Sequence, residues 1–294
     1  MCLERTCADS YAFKVFFLPH TLMSAMNAIR VAEDGRFPAI VFEELKKSGF
    51  PVGRLPEAQI FIEAFFERIT PNDFSLHAPD RWALLVADLL GFMRKREPEL
   101  ASVRVYSPGN EGARTVIEVV TDDMPFLVDT VSMVAAASAE IHAVIHPVLR
   151  VTRDAGGNLI ALGAQGTLSE SVMRFEIDRL AEEELEPLRK AVEVALADVR
   201  EAVVDWRPMR DRMVAIADSL ASRELPLKPE EVAEAREFLQ WVAADHFTFL
   251  GYREYEVLPV DGDEVLRAVD HSGLGILRGS ERSMAPRRQG MRPS

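Results

Sequence analysis

Four sets of side chains in this sequence could do chemistry. His142 and His146 stand four residues apart, a spacing that on a helix could clamp one zinc ion. They lie in IHAVIHPVLRVTR, which alternates with a two-residue period and contains Pro147, so the stretch reads as a strand. At ~3.3 Å per residue their Cα atoms are about 13 Å apart, too far to share a metal ligated at ~2.1 Å. Gly273, Gly275 and Gly279 in GLGILRG come nearest to a dinucleotide loop. The third glycine is one place late and a basic tail follows where a helix is needed, so a strand-and-turn set is the reading. Glu182, Glu183, Glu184 and Glu186 crowd a helix start, where they favour the helix dipole. Glu170 and Glu176 are not placed closely enough to pair as acid and base. Strand order alone identifies no Ser/His/Asp triad.

The elements that must position these groups follow from periodicity. PEAQIFIEAFFERI (56–69) opens with a proline suited to a first helical turn. DRWALLVADLLGFMRKR (80–96) carries an apolar stripe and ends in Arg94, Lys95 and Arg96, which suit a helix C-terminus. RTVIEVVT (114–121) is a β-branched strand. Asp122, Asp123 and Pro125 supply cap and first-turn chemistry for a helix running to about Ser138. The strand with the histidines comes next, then a turn, a short return over 159–162, and SVMRFEID (171–178), which alternates again. A helix along Leu185, Leu188, Val192, Leu196 and Val199 succeeds it, and Val203, Val204 and Trp206 suggest a last short strand. This is β-α-β-β-α-β, the ferredoxin-like α+β arrangement, one sheet with two helices on one face. Two further helices, about 208–222 and 229–245, lead to a new sheet beginning with FTFLGYREYEVL.

The whole chain has 294 residues, enough for about two domains. Its 34 basic and 47 acidic residues give a net charge of −13, which disfavours general nucleic-acid binding because no phosphate counterions are released. Two cysteines, Cys2 and Cys7, fit a reduced cytoplasmic compartment and cannot frame a zinc site alone. No run reaches the ~18 apolar residues of a membrane span. Segment 15–29 comes closest and is interrupted by Pro19, His20 and Asn27.

TVIEVVTDDMPFLVDTV, IHAVIHPVLRVTRD, ESVMRFEIDRL, HFTFLGYREYEV and SGLGILR occur in that order. Together they resemble the N-terminal region of the large bacterial NAD-specific glutamate dehydrogenases, over most of 61–279. The resemblance implies ACT-like modules followed by a PAS-like sheet, with the dehydrogenase domain far downstream of this chain. The expected organisation is a helical segment (1–100), an ACT-like domain (101–207), a helical linker (208–245), the start of a PAS-like β-rich domain (246–279) and a disordered tail (280–294). The first ~30 residues and the tail from about Ser283 depart from the family, which suggests a truncated or out-of-frame end.

The resemblance implies a regulatory and assembly portion of a glutamate dehydrogenase, inactive alone, with no cofactor of its own and NAD implied for the full-length enzyme. The alternatives are a free-standing ACT-type module that senses an amino acid, and a purely structural dimerisation domain. ACT modules often bind an amino acid near the strand-to-helix turn, here Asp122, Asp123, Pro125 and Phe126. They usually carry glycine where Phe126 stands, and Phe126 is expected to crowd a close backbone approach. The expected partners are other domains or subunits of the same enzyme, an amino-acid effector and a second copy, with no nucleic acid or membrane. Even-numbered residues of the histidine strand, His142, His146, Val148 and Arg150, are expected to share the sheet face away from the helices with Arg174 and Glu176. Valines interrupt the charges of that face, so it reads as an interface.

Overall fold

The structure, a computed structural model, describes residues 36–67, 69, 76–109, 114–260, 263–279 and 284–286. The expectations for the first 30 residues and for most of the tail fall outside these. The chain divides into two compact units, Met1–Phe92 and Met93–Ser294.

The first unit holds helices α1 (Phe37–Lys47), α2 (Leu55–Phe66) and α3 (Pro79–Phe92). Their apolar stripes meet in a core of buried aromatics. Phe66 packs edge-on against Trp82 at 5.4 Å and against Phe37 at 5.5 Å. Such offset and edge-to-face pairs add to the area that the rings bury. The helix expected to reach Arg96 stops at Phe92, and the residues after it join the second unit.

The second unit is built on an antiparallel sheet. Its strands are β1 (Ser102–Tyr106), β2 (Arg114–Asp122), β3 (Ile141–Ile145), β4 (Val148–Arg153), β5 (Leu159–Leu162) and β6 (Leu168–Asp178). The order is β1-β2-β6-β4-β5, and β3 also pairs with β6. β3 and β4 are thus two pieces of the predicted histidine strand, broken at His146 and Pro147. Two helices, α4 (Leu127–Ala136) and α5 (Glu182–Leu220), cover one face. Ile117, Val119, Met173, Phe175 and Ile177 from the sheet meet Leu127, Val131, Leu188, Val192 and Leu196 there. The mixed α and β content and the antiparallel sheet agree with the α+β class.

Two expectations change here. Val203–Trp206 is not a strand, and no new helix starts at Pro208: α5 runs unbroken through both for 39 residues. Ala202, Asp205 and Met209 form a buried stripe at helical spacing, and that packing outweighs the β-branched pair and the proline. β1 supplies the sheet edge expected of Val203–Trp206. The second change concerns the face away from the helices. Val116, Glu118, Val120, Val172, Arg174 and Glu176 are all buried, so β2 and β6 are enclosed on both faces.

Beyond α5 come α6 (Pro229–Trp241), a π-helical turn (Val242–His246), a two-stranded sheet of β7 (Gly251–Tyr252) with β10 (Leu274–Gly275), and a three-stranded sheet of β8 (Tyr255–Val260), β9 (Asp263–Ala268) and β11 (Met284–Pro286). β10 is tied to α5: the backbone N–H of Gly275 donates to buried Asp205 at 2.8 Å, and Arg278 donates to the same carboxylate. Gly275 has φ +57°, and a Cβ there would fall 2.2 Å from the Leu250 carbonyl oxygen, so only glycine fits.

Candidate functional site

The strand-to-helix turn after β2 combines a network of charged side chains with a residue in the left-handed backbone region. Asp122 ends β2 and accepts from Arg200 of α5 at 2.5 Å and from Arg96. Burial alone would raise its pKa, but the two guanidinium groups outweigh that and hold it below the usual carboxylate range. Arg96 is buried and also donates to Glu170 at 2.8 and 3.0 Å and to the Leu100 carbonyl oxygen at 2.9 Å. Arg153 closes on Glu170 from the other side at 2.6 and 2.8 Å and donates to the carbonyl oxygens of Gly157 and Met93. Glu170 is fully buried, yet its oxygens take four donor contacts, which is what makes a buried carboxylate tolerable.

Asp123 does not cap α4, contrary to the sequence reading. Its carboxylate accepts from Ser171 Oγ at 2.6 Å, and α4 has no side-chain cap bond at its start. Ser171 Oγ lies 3.0 Å from His146 Nε2. The order Asp–Ser–His puts the serine in the middle with its proton on Asp123, so the histidine must donate and cannot act as the serine's base. This is the reverse of the relay that nucleophilic catalysis needs.

Pro125 is exposed, and Phe126 precedes α4 in the left-handed region at φ 72°. The residue is not the expected glycine, yet the backbone takes the conformation that favours one. For a bulky side chain this costs roughly 1–2 kcal/mol. Phe126 is half exposed, so its own burial offsets only part of that cost.

The candidate interface residues do not share one face. A bulge between Ile141 and Ala143 shifts the register of β3. Ala143 then lies opposite Glu176, and Ile145 opposite Arg174. On β4, Leu149 lies opposite Glu170 while Val148 and Arg150 lie opposite Ser171 and Ser169, on the helix side of the sheet. Val148 and Arg150 are exposed, and Arg150 donates to the Gly166 carbonyl oxygen at 2.7 Å. His142 reaches Asp178 at 2.6 Å, and His146 bonds Ser171, so the two histidines serve separate contacts. Among the described residues no three His, Cys, Asp or Glu side chains converge as metal ligands.

Arg174 and Glu176 belong to a second buried network. Arg174 donates to Glu118, to Glu176 at 3.0 Å and to the Tyr106 hydroxyl at 3.2 Å, and Arg104 also holds Glu118. Burial works against the Arg174 charge, but Glu118 and Glu176 more than restore it. Glu170 and Glu176 are therefore each held by arginine. Sequence reasoning missed Arg96, Arg153, Glu170 and Arg200 as a set. Arg96 reads locally as a helix end, and the others are far apart in the chain.

No helix among the described residues is long and apolar enough to cross a membrane. Residues 61–192 match the family model described as the glutamate dehydrogenase ACT1 domain. The chain is 34% identical over 244 residues to the NAD-specific glutamate dehydrogenase of Pseudomonas aeruginosa, a match covering 76% of this chain and 15% of that protein. It is 32% identical over 249 residues to the protein of the same name from Halomonas elongata, covering 80% of this chain and 15% of that relative. The chain thus spans about a seventh of the length of these relatives. By these matches the chain belongs with the N-terminal region of the NAD-specific glutamate dehydrogenase family.

Proposed function

We propose that the chain is the regulatory and assembly portion of an NAD-specific glutamate dehydrogenase. In this reading the whole enzyme converts L-glutamate, NAD and water to 2-oxoglutarate, ammonia and NADH, and the chemistry lies outside this chain. The sheet acts as a ferredoxin-like ACT module, and the strands from β7 onward open a PAS-like domain. The observation that carries the reading is the position of Asp122. It joins the turn characteristic of the module to Arg96, on the segment leading into the sheet, and to Arg200, on the helix that continues to β10. A change at the turn therefore reaches both neighbouring parts of the chain through charged contacts.

The glycine turn of SGLGILR does not fit the pyrophosphate of NAD: Asp205 accepts from the Gly275 N–H and would repel that group. The reading is tested by supplying this chain in trans to the Pseudomonas aeruginosa enzyme lacking its matching region. Restored assembly and glutamate-dependent NADH formation are expected. A folded chain that neither binds nor restores the shortened enzyme overturns the reading.

A further inference from the structure

Two neighbouring residues of α5 reach toward two different turns. Arg200 donates to Asp122, at the end of β2, at 2.5 Å. Glu201 lies 2.9 Å from Nε of Arg278, in the glycine turn that follows β10. One helical turn beyond Glu201, on the same face, Asp205 is buried. It accepts from the Gly275 N–H at 2.8 Å and from Arg278 Nε at 3.1 Å. Arg278 thus stands between two carboxylates of one helix face. Its hydrogen bond holds the Asp205 carboxyl below the usual carboxylate range in spite of burial. The glycine turn has further ties of its own. The Ile276 N–H donates to the Leu250 carbonyl oxygen at 3.0 Å, and Arg253 donates to the Leu277 carbonyl oxygen.

We propose that α5 is a lever between these two turns, so that weakening the Asp122–Arg200 pair loosens the glycine turn held by Glu201 and Asp205. The stretch Val199–Asp205 contains no glycine or proline, and Leu196, Ala202 and Met209 are buried along it. Close packing makes such a length of helix shift as one body between discrete positions. A shift that carries Arg200 away from Asp122 therefore carries Glu201 and Asp205 with it. Arg278 and the Gly275 N–H then lose their acceptors together. The coupling is reciprocal, as any equilibrium linkage between two sites must be: loosening the glycine turn also loosens the turn after β2. The regulatory purpose of the lever rests on the reading proposed above, but the lever itself is a property of this chain.

Amide hydrogen exchange on the full chain, resolved residue by residue by NMR, tests it. The Gly275 N–H reports the glycine turn. The Asp123 N–H, which donates to the Ser169 carbonyl oxygen at 2.9 Å, reports the turn after β2. The N–H of buried Phe175 in β6 reports global unfolding and sets the reference. Relative to Phe175, Asp122→Asn is expected to speed exchange at Gly275 roughly threefold or more, and Arg278→Gln to speed exchange at Asp123 by a like factor. Arg200→Gln should act as Asp122→Asn does, and replaces it if that variant does not fold. Arg189→Gln, which breaks an exposed pair with Glu186 elsewhere on α5, should change neither amide. Wild-type exchange at Gly275 in folded Asp122→Asn or Arg200→Gln overturns the proposal. So does an effect that runs in one direction only, or an Arg189→Gln variant that speeds Gly275 as much. The measurement uses this chain alone, so its outcome is independent of whether the chain restores a shortened dehydrogenase.

Discussion

Asp122 at the end of β2 and Arg200 in α5 are 78 positions apart in sequence and 2.5 Å apart in space. Arg96 takes the other oxygen of the same carboxylate, so one side chain joins three separate stretches of the chain. Because both partners depress the Asp122 pKa, its ionised form contributes stability above the unfolded value of about 4. That contribution disappears as pH falls through the lower folded value. Urea midpoints of the wild type and Asp122→Asn, compared from neutral pH downward, should differ most at neutrality. The gap should narrow once the pH drops below about 4. A gap that is constant with pH would show that the carboxylate charge contributes nothing.

Phe126 reverses a familiar ranking. Replacing an ordinary residue by alanine is normally kinder than replacing it by glycine, because glycine loses more freedom on folding. At φ 72° the order should invert. Phe126→Gly is expected to be more stable than Phe126→Ala by about 1 kcal/mol, since both lose the ring and only glycine relieves the backbone. Thermal melts of the two variants decide it, and an alanine variant equal to or better than glycine would remove the claim of strain.

Much of the fold is legible in the sequence. The two-residue period of β6 and the helical stripe of α4 depend on local geometry that alternation and 3.6-residue spacing report directly. The bulge at Ile141/Ala143 is not legible, because one inserted residue moves every later side chain to the other face while the apolar alternation looks unchanged. The length of α5 is also hidden. Val203, Val204 and Pro208 favour a break locally, and only the packing of Ala202, Asp205 and Met209 holds the helix through them. The ion network around Glu170 is invisible for another reason: it joins residues 96, 122, 153, 170 and 200, whose proximity depends on the completed sheet.

Asp123 and Ser171 should behave as one unit. Ser171 is fully buried and donates to Asp123 at 2.6 Å. Asp123→Ala leaves the buried Ser171 hydroxyl with His146 alone, whereas Ser171→Ala leaves the exposed Asp123 carboxylate to water, so Asp123→Ala should cost about 1–2 kcal/mol, Ser171→Ala less, and the double variant less than their sum. Urea unfolding of the four proteins gives the coupling. Strictly additive losses would mean that Asp123 acts without the serine, as the helix cap expected from the sequence would require.

The chain alone is expected to form no NADH from glutamate and NAD. Its described carboxylates at Glu170 and Glu176 are held by arginine, and its glycine turn is closed by Asp205. Absorbance at the NADH band, with purified chain free of host dehydrogenase, is the measurement. Turnover that stays with the chain through successive purification steps would place catalysis within it.

The last prediction separates two residues that sequence alternation puts together. Val148 is exposed on the helix side of β4, so Val148→Asp should change stability by no more than about 0.5 kcal/mol. Arg174 is buried on the opposite face between Glu118 and Glu176. Arg174→Glu removes the guanidinium that those two carboxylates share and adds a third carboxylate among them. Arg104 still holds Glu118, but its single charge cannot neutralise the group alone. Breaking a buried pair in this way typically costs about 3–5 kcal/mol, and proton uptake by one of the acids is the main route to relief. Arg174→Glu should therefore melt well below the wild type at neutral pH and recover part of the difference under mildly acidic conditions. Arg174→Met, which fills the space without adding charge, should fall between the two. Equal tolerance of Val148→Asp and Arg174→Glu would contradict the register that puts these side chains on opposite faces of the sheet.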